Sequence, residues 1–379
     1  MKEWKTYKVG DICSSISETY KSKSKSVVLI NTSDVLEGRC LNHEFVPNKD
    51  LKGQFKKAFK FGDILYSEIR PANKRFAYID FDATDYIAST KLMVLRNNDK
   101  VTNRFLYHYL KSESTIAELQ ALAESRSGTF PQITFSELSQ LEISIPDIET
   151  QMAISSFIDT LESKIELNRQ INDNLEQQAS SLLSDWISTY PCRTYKLSDI
   201  CKYANAKCET GNLTPQNYIS TENMLPNKKG IVEASNIPTG KATCYKVDDI
   251  LIANIRPYFQ KIWKADINGG CSADVLCIRA NIESHSPILY WLLHQDAFFE
   301  YVMTGAKGCK MPRGDKQHIM NWSIDLPEVQ YWADLATQLG SIDQQIAYNR
   351  IESINLSNLR DTLLPKLMSG EIKINEIDC

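Results

Sequence analysis

A chain of 379 residues, 42% apolar and 24% charged, is long enough for two or more domains with cores of their own and has the balance of an ordinary water-soluble protein. No stretch approaches the roughly 18 uncharged apolar residues of a membrane span, and the start MKEWKTYKVGDIC lacks the apolar core of a signal peptide. A cytoplasmic protein is expected, and its net charge of −4 speaks against a uniformly basic nucleic-acid coat.

In chain order, the first predicted elements are short strands bounded by Gly, Pro, Asn and Asp, such as Ile64–Ile69 and Lys91–Arg96, followed by a helix over Tyr107–Leu122. The same order then returns. YKVGDIC at Tyr7–Cys13 recurs as YKLSDIC at Tyr195–Cys201, and VLINTSDV at Val28–Val35 is echoed by NYISTENM at Asn217–Met224. FGDILYSEIRP at Phe61–Pro71 recurs as VDDILIANIRP at Val247–Pro257, STKLMVLR at Ser89–Arg96 as SADVLCIR at Ser272–Arg279, and EISIPDIE at Glu142–Glu149 as SIDLPEVQ at Ser323–Gln330. The offset shrinks from 189 to 181, the pattern expected when surface loops lose residues and core elements do not. A second helix is predicted over Leu289–Met303. Strands and helices without regular alternation point to an α+β fold.

After each globular copy comes a heptad seam. Ile154, Ile158, Leu161, Ile165, Asn168, Asn172, Leu175, Ala179, Leu182 and Trp186 advance in alternating steps of four and three. Adding 181 gives Leu335, Leu339, Ile342, Ile346, Asn349, Ser353, Leu356, Arg360, Leu363 and Leu367. Such a helix of about 38 residues would be roughly 55 Å long, too long to fold into a compact domain. If the first helix leads from head to head, the second returns, and the seams pair antiparallel. The polar break at Asn168 and Asn349 suits a register device, although two amphipathic helices lying on their own domains remain the alternative. The expected division is a head over 1–147, a spacer helix over 148–190, a second head over 191–328, and a second spacer helix with its tail over 329–379.

The net charge divides by segment. Residues 1–145 and 191–326 each carry +3, while 146–190 carry −6 and 327–379 carry −4. Both heads are mildly basic, and their cations cluster in predicted loops, where they could neutralise phosphates while neighbouring Gln, Ser and Thr read base edges. Lys21, Lys23, Thr32, Arg70, Lys74, Arg75, Arg126, Ser127 and Gln132 are the candidates in the first head, and Thr221, Arg256, Gln260, Lys261, Lys310, Arg313 and Lys316 in the second. Arg70 and Arg256 occupy identical repeat positions, so a bridge to a carboxylate is an equal reading for them. The ten cysteines contain no C-x-x-C pair and suit buried free thiols better than zinc. No P-loop, nucleophile elbow, H-E-x-x-H, methyltransferase D/N-P-P-Y/F or glycine-rich cofactor loop is present, so neither a catalytic residue nor a metal site is expected.

The plan of head, helix, head, helix, with IRP after GDIL or DDIL, an I-P or L-P turn before each helix and the ending DTLLPKLMSGEIKI at Asp361–Ile374, resembles the specificity subunit of Type I restriction-modification systems. The resemblance covers essentially the whole chain. It implies two target-recognition domains that each read half of a split double-stranded DNA sequence, joined by two long antiparallel coiled-coil helices. It also implies two methyltransferase subunits using S-adenosylmethionine, and restriction subunits using ATP and Mg, with no cofactor on this chain. The family's P-P-x-x-E-Q helix opening is IPDIETQ at Ile145–Gln151 but LPEVQYW at Leu326–Trp332, which leaves the second helix start open. A coiled-coil scaffold with protein-binding heads, or a methylation-only or Type II-like assembly, are the competing readings.

Overall fold

The computed structural model describes residues 4–22, 24–49, 51, 53–126 and 130–374. It divides into two compact units, residues 1–165 with 354–379 and residues 166–353, so both long helices are shared between them.

The first unit holds strands β1 (Lys5–Lys8), β2 (Cys13–Ile16), β3 (Ser26–Ile30), β4 (Val35–Leu36), β5 (Arg39–Cys40), β6 (Phe45–Pro47), β7 (Phe55–Ala58), β8 (Ile64–Ser67), β9 (Phe76–Tyr78), β10 (Tyr86–Ser89), β11 (Leu92–Asn97) and β12 (Glu142–Ile145). Its helices are α1 (Asn103–Leu110), α2 (Glu113–Arg126) and α3 (Phe135–Leu138), followed by the start of α4 (Ile148–Thr189). One sheet has the order β2-β11-β8-β9 and is antiparallel; the other has the order β6-β3-β10-β7, with β3 and β10 parallel. Because side chains alternate along a strand, Ile64, Tyr66, Met93 and Leu95 face the helices with Phe105, Leu106 and Leu119. Leu65, Val94 and Ala77 face the second sheet with Val28, Ile30 and Ala88. Helices, sheet and sheet thus form three layers, and the middle sheet is buried on both sides.

The second unit repeats this. It contains β13 (Cys192–Lys196), β14 (Cys201–Tyr203), β15 (Lys207–Glu209), β16 (Tyr218–Ile219), β17 (Lys241–Tyr245), β18 (Ile250–Ala253), β19 (Ile262–Lys264), β20 (Gly269–Cys271), β21 (Val275–Ala280) and β22 (Ser323–Pro327). Its helices are α5 (Leu197–Ile200), α6 (Ser286–Leu293), α7 (Asp296–Thr304), α8 (Lys316–Met320) and the start of α9 (Trp332–Ser369). The middle sheet is β14-β21-β18-β19 and the outer one β15-β17-β20-β16, again with one parallel pair, β16 and β20. Three outer strands correspond between the units. The fourth differs: β6 flanks β3 in the first unit, whereas β15 flanks β17 in the second, where the first unit has only the bridge Thr19–Lys57.

Two repeated residues explain why the GDIL, DDIL and L/I-R blocks recur. The buried Asp63 receives a two-pronged contact from Arg96, at 2.7 and 2.8 Å, and Asp249 the same from Arg279, both at 2.6 Å. Each carboxylate also caps its own turn, accepting from the Lys60 or Lys246 backbone N–H. Planar guanidinium matched to carboxylate is strong and geometrically specific, and it ties the strand β8 or β18 turn to the end of β11 or β21.

Where a single helix was expected over Tyr107–Leu122 and again over Leu289–Met303, the chain makes two each time. The first break comes at Ser112, whose hydroxyl accepts from the Thr115 N–H and starts α2. The second helical opening also resolves. Gln151 is fully buried, and its amide donates to Pro146 O at 2.9 Å and accepts from Thr102 N at 2.8 Å. At the matching position Trp332 donates its indole N–H to Pro327 O at 2.8 Å, so a tryptophan anchors the start of α9 where a glutamine anchors α4.

α4 and α9 pack antiparallel. In the second unit Asn172 meets Asn349, Trp186 donates to Tyr331 O, and Ala179, Leu183 and Trp186 share a core with Leu335, Leu339 and Ile342. In the first, Ile154 and Ile158 share a core with Leu364 and Leu367, and Glu162 pairs with Arg360. Asn168 and Asn349 are buried; Asn168 donates to Ser353 Oγ at 3.3 Å, and Asn349 to Asn172 Oδ1 at 2.8 Å. Leu161 and Ile342 are buried, and Ile165, Leu175, Ile346 and Leu356 half-buried. At Leu182 and Leu363 the seam departs from strict heptads: both are half-buried, while Leu183 and Leu364 are buried instead. Both lie four heptads past the seam's first residue, where a straight helix has drifted by about 80°, nearly one residue's rotation.

All nine described cysteines are free. Cys13, Cys201, Cys271 and Cys277 are buried, as expected of free thiols, whereas Cys192 and Cys309 are exposed.

Candidate nucleic-acid interface

In the first unit the chain leaves β8 through a tight turn. Arg70 and Lys74 bracket the 3-10 turn Pro71–Asn73, both with left-handed backbone, at φ 44° and 52°. Arg70 N donates to Pro131 O at 3.1 Å, and a bridge between Ile69 and Gln132 lays the 130–133 segment beside the turn. Ala72 N donates to Gln120 on α2, and Lys74 pairs with Glu113 at the start of α2. Arg75 is turned inward, donating to Ser33 O and Val35 O and so holding the Thr32–Asp34 turn. Gln132 accepts from Lys91 at 3.2 Å, and Lys91 lies 3.4 Å from Glu68. Arg126 pairs with Glu137, and Lys21 is exposed. Lys23 and Ser127 lie outside the described residues.

The second unit builds the same turn from different side chains. Arg256 and Gln260 bracket Pro257–Phe259, again left-handed at φ 52° and 51°, and Arg256 N donates to Pro312 O at 2.7 Å. Ile255 bridges to Arg313. Lys261, like Arg75, points inward, donating to Thr221 O at 2.7 Å; burial and the loss of water lower its pKa. Arg313 pairs with Asp274 at 2.8 Å. Lys310 is exposed, and Lys316 opens α8 with its ammonium 5.7 Å from the Tyr203 ring.

Sequence reasoning missed Lys91 and Asp274. They stand at matched positions in the repeat, yet their charges are opposite and their partners differ: neutral Gln132 beside Lys91, cationic Arg313 beside Asp274. The signal was available as an opposite-sign pair inside an otherwise matched block. The turns are alike in backbone and unlike in what they present, which is the arrangement of one scaffold carrying two surfaces.

Residues 1–177 match the family of the Type I restriction modification DNA specificity domain. The match covers just under half of the chain. The chain is 49% identical over 188 residues to the Type I restriction enzyme HindI specificity subunit of Haemophilus influenzae, a match spanning 49% of this chain and 41% of that protein. It is 23% identical over 319 residues to the MjaIX specificity subunit of Methanocaldococcus jannaschii, spanning 74% and 71%. Among solved structures, the Type I restriction-modification S subunit from M. genitalium shares the fold, with a TM-score of 0.55, 18% identity, and 97% of this chain and 96% of that one covered.

One polar cluster of the first unit has the makings of a metal site on paper. His108, Asp159 and Glu162 bring ligand atoms within 4.8 Å of one another. Three cations already occupy it: Arg104 forks onto Asp159, Lys111 pairs with Glu162, and Arg360 lies 3.5 Å from Glu162. His108 bonds Asp159 at 2.9 Å through Nε2. The donor set is spent on protein cations and serves to bind α1 to α4. Burial alone would raise the Asp159 carboxyl, but hydrogen bonds from His108 and Arg104 outweigh it and hold the pKa at about 2. Among the described residues no helix is long and apolar enough to cross a membrane.

Proposed function

We propose that this chain is the sequence-reading, non-catalytic subunit of a Type I restriction-modification assembly in the cytoplasm, each head reading one half of a bipartite, asymmetric site in double-stranded DNA. The observation that carries this is the pairing of one turn with two chemistries: Lys91 with Gln132 in the first head, Asp274 with Arg313 in the second. Amide and guanidinium groups favour different base edges, Gln forming two bonds to adenine and Arg two to guanine, so the heads would select different half-sites. Inward-turned Arg75 and Lys261 would shape the turns, while Lys74, Arg126, Gln260, Lys310 and Lys316 would lie toward the duplex.

On this reading residues 1–147 and 191–328 are the two recognition heads, and the helical stretches 148–190 and 329–379 set the spacing between half-sites. The acidic faces of those stretches would receive two methyltransferase subunits, which bring S-adenosylmethionine; restriction subunits would bring ATP and Mg. A map of methylated adenines in the host, with and without this chain, tests the proposal. One bipartite asymmetric motif should vanish on deletion; an unchanged map would refute it.

A further inference from the structure

Within the Phe61–Pro71 and Val247–Pro257 blocks, six positions are identical: Asp63, Ile64, Leu65, Ile69, Arg70 and Pro71 against Asp249, Ile250, Leu251, Ile255, Arg256 and Pro257. Five have an evident task in the fold. The aspartates hold Arg96 and Arg279; Ile64, Leu65, Ile250, Leu251 and both prolines are buried; Ile69 and Ile255 bridge to the neighbouring segment. The arginines do not fit that account. Both are exposed, and among the described residues neither guanidinium has a carboxylate, carbonyl or ring partner. The described residues hold no carboxylate bridge of the kind weighed from sequence.

Their backbone makes the retention of arginine more pointed. A side chain at φ 44° or 52° costs on the order of 1 kcal/mol, which glycine would relieve, yet both copies keep the long cation. The position is also rigid. Arg70 N is tied to Pro131 O and its carbonyl accepts from Asn73 N; Arg256 N is tied to Pro312 O and its carbonyl accepts from Phe259 N. Immediately beside each arginine, through the Ile69–Gln132 and Ile255–Arg313 bridges, lies a residue that differs between the heads, Gln132 against Arg313.

From this we infer that Arg70 and Arg256 make the same phosphate contact in each half-site, seating each head on the DNA backbone in a fixed register while the variable neighbour reads bases. The inference rests on the proposal that the heads bind DNA. A constant, strained, unpaired cation suits the part of the duplex that is the same in every sequence, and phosphate contacts position while base contacts specify. Two unlike half-sites would then be read from one common seat.

The test uses the full chain assembled with its methyltransferase subunits. Arg70→Gln, Arg256→Gln, Arg70→Lys and Arg70→Gly are titrated by fluorescence anisotropy against a duplex carrying the mapped motif and one with that motif scrambled, across a salt series. Each glutamine variant should weaken both duplexes by a similar factor, about tenfold, and flatten the logarithmic salt slope by about one, with the methylated motif unchanged. Arg70→Lys should keep most of the slope. Arg70→Gly, which removes strain and charge together, should melt no lower than wild type and still lose affinity. Loss confined to the motif duplex, or a relaxed base at one half-site, would make the arginine a base reader and overturn the assignment. Unchanged affinity, or full affinity in Arg70→Gly, would also overturn it. If wild type binds neither duplex in a salt-dependent way, the DNA reading itself fails and takes this inference with it.

Discussion

The two units fasten a short helix, α1 or α6, to a long one, α4 or α9, with different chemistry at matched positions. In the first, Arg104 and His108 of α1, with the Lys111 that ends it, meet Asp159 and Glu162 of α4. In the second, α6 places Trp291 where His108 stands, and its indole donates to Asp343 at 2.8 Å while Lys264 pairs with the same carboxylate at 2.6 Å. Asp343 corresponds to Glu162, so one acidic position survives while the groups around it change from a network of several charges to one indole and one lysine. The docking geometry is therefore the inherited feature, and the contact chemistry is free to change so long as the carboxylate stays satisfied. Burial pushes the Asp343 carboxyl upward, against the pull of Lys264 and Trp291, so the pair stands in a poorly hydrated place.

Replacement of these anchors should separate the two kinds of fastening. Trp291→Ala removes a side chain that is 1% exposed and leaves Asp343 without one of its donors. It should cost about 3–5 kcal/mol in the second unit, with little dependence on salt. Asp159→Asn in the first unit strips the charge from a carboxylate that is 27% exposed and paired with an Arg104 that is 32% exposed, and solvent screening should hold its cost to about 1–2 kcal/mol, smaller still in high salt. Hydrogen exchange, read separately in residues 1–165 and 166–353, checks both. Equal losses, or equal salt sensitivity, would mean that the two anchors are not chemically distinct.

An effect comparable to that of Asp159→Asn comes from pH. Burial lowers the pKa of His108, and burial together with Lys228 and Lys229 lowers that of His294 to about 3. Both histidines are neutral in the folded chain at pH 7, while unfolded histidine titrates near 6.5. The folded state then binds fewer protons than the unfolded state below that value, so stability is full above about pH 6.5 and falls as pH drops toward the folded values. For His294 the loss should reach about 2 kcal/mol by pH 5. Asp159, depressed to about 2, adds stability that is present above the ordinary carboxylate range and is lost as pH falls through about 2. Chemical denaturation between pH 8 and 5 should show the decline in wild type and a flatter curve in His294→Phe; parallel curves would refute it.

Much of this was legible in the chain because repetition and heptads are local patterns. The offset blocks marked the strands of both units, and the steps of four and three marked α4 and α9. Contacts formed across distance were not legible. Nothing in the spacing of Asp63 and Arg96 announces a two-pronged pair, and nothing in LPEVQYW announces that Trp332 would take the place of Gln151. The shift from Leu182 to Leu183 reflects accumulated helical drift, which a seven-residue template cannot register. Among the candidate DNA contacts, charge and repeat variation singled out Arg75 and Lys261, yet both are drawn inward by backbone carbonyls that only the folded turn brings near.

The central claim is that one scaffold, written twice, reads two different half-sites. Exchange of residues 1–147 for the corresponding head of a similar specificity subunit, followed by mapping of methylated adenines in the host, tests it most directly. The account predicts that one half of the bipartite motif changes while the other half and the spacing persist. A change in both halves, or a motif that survives intact, would contradict it.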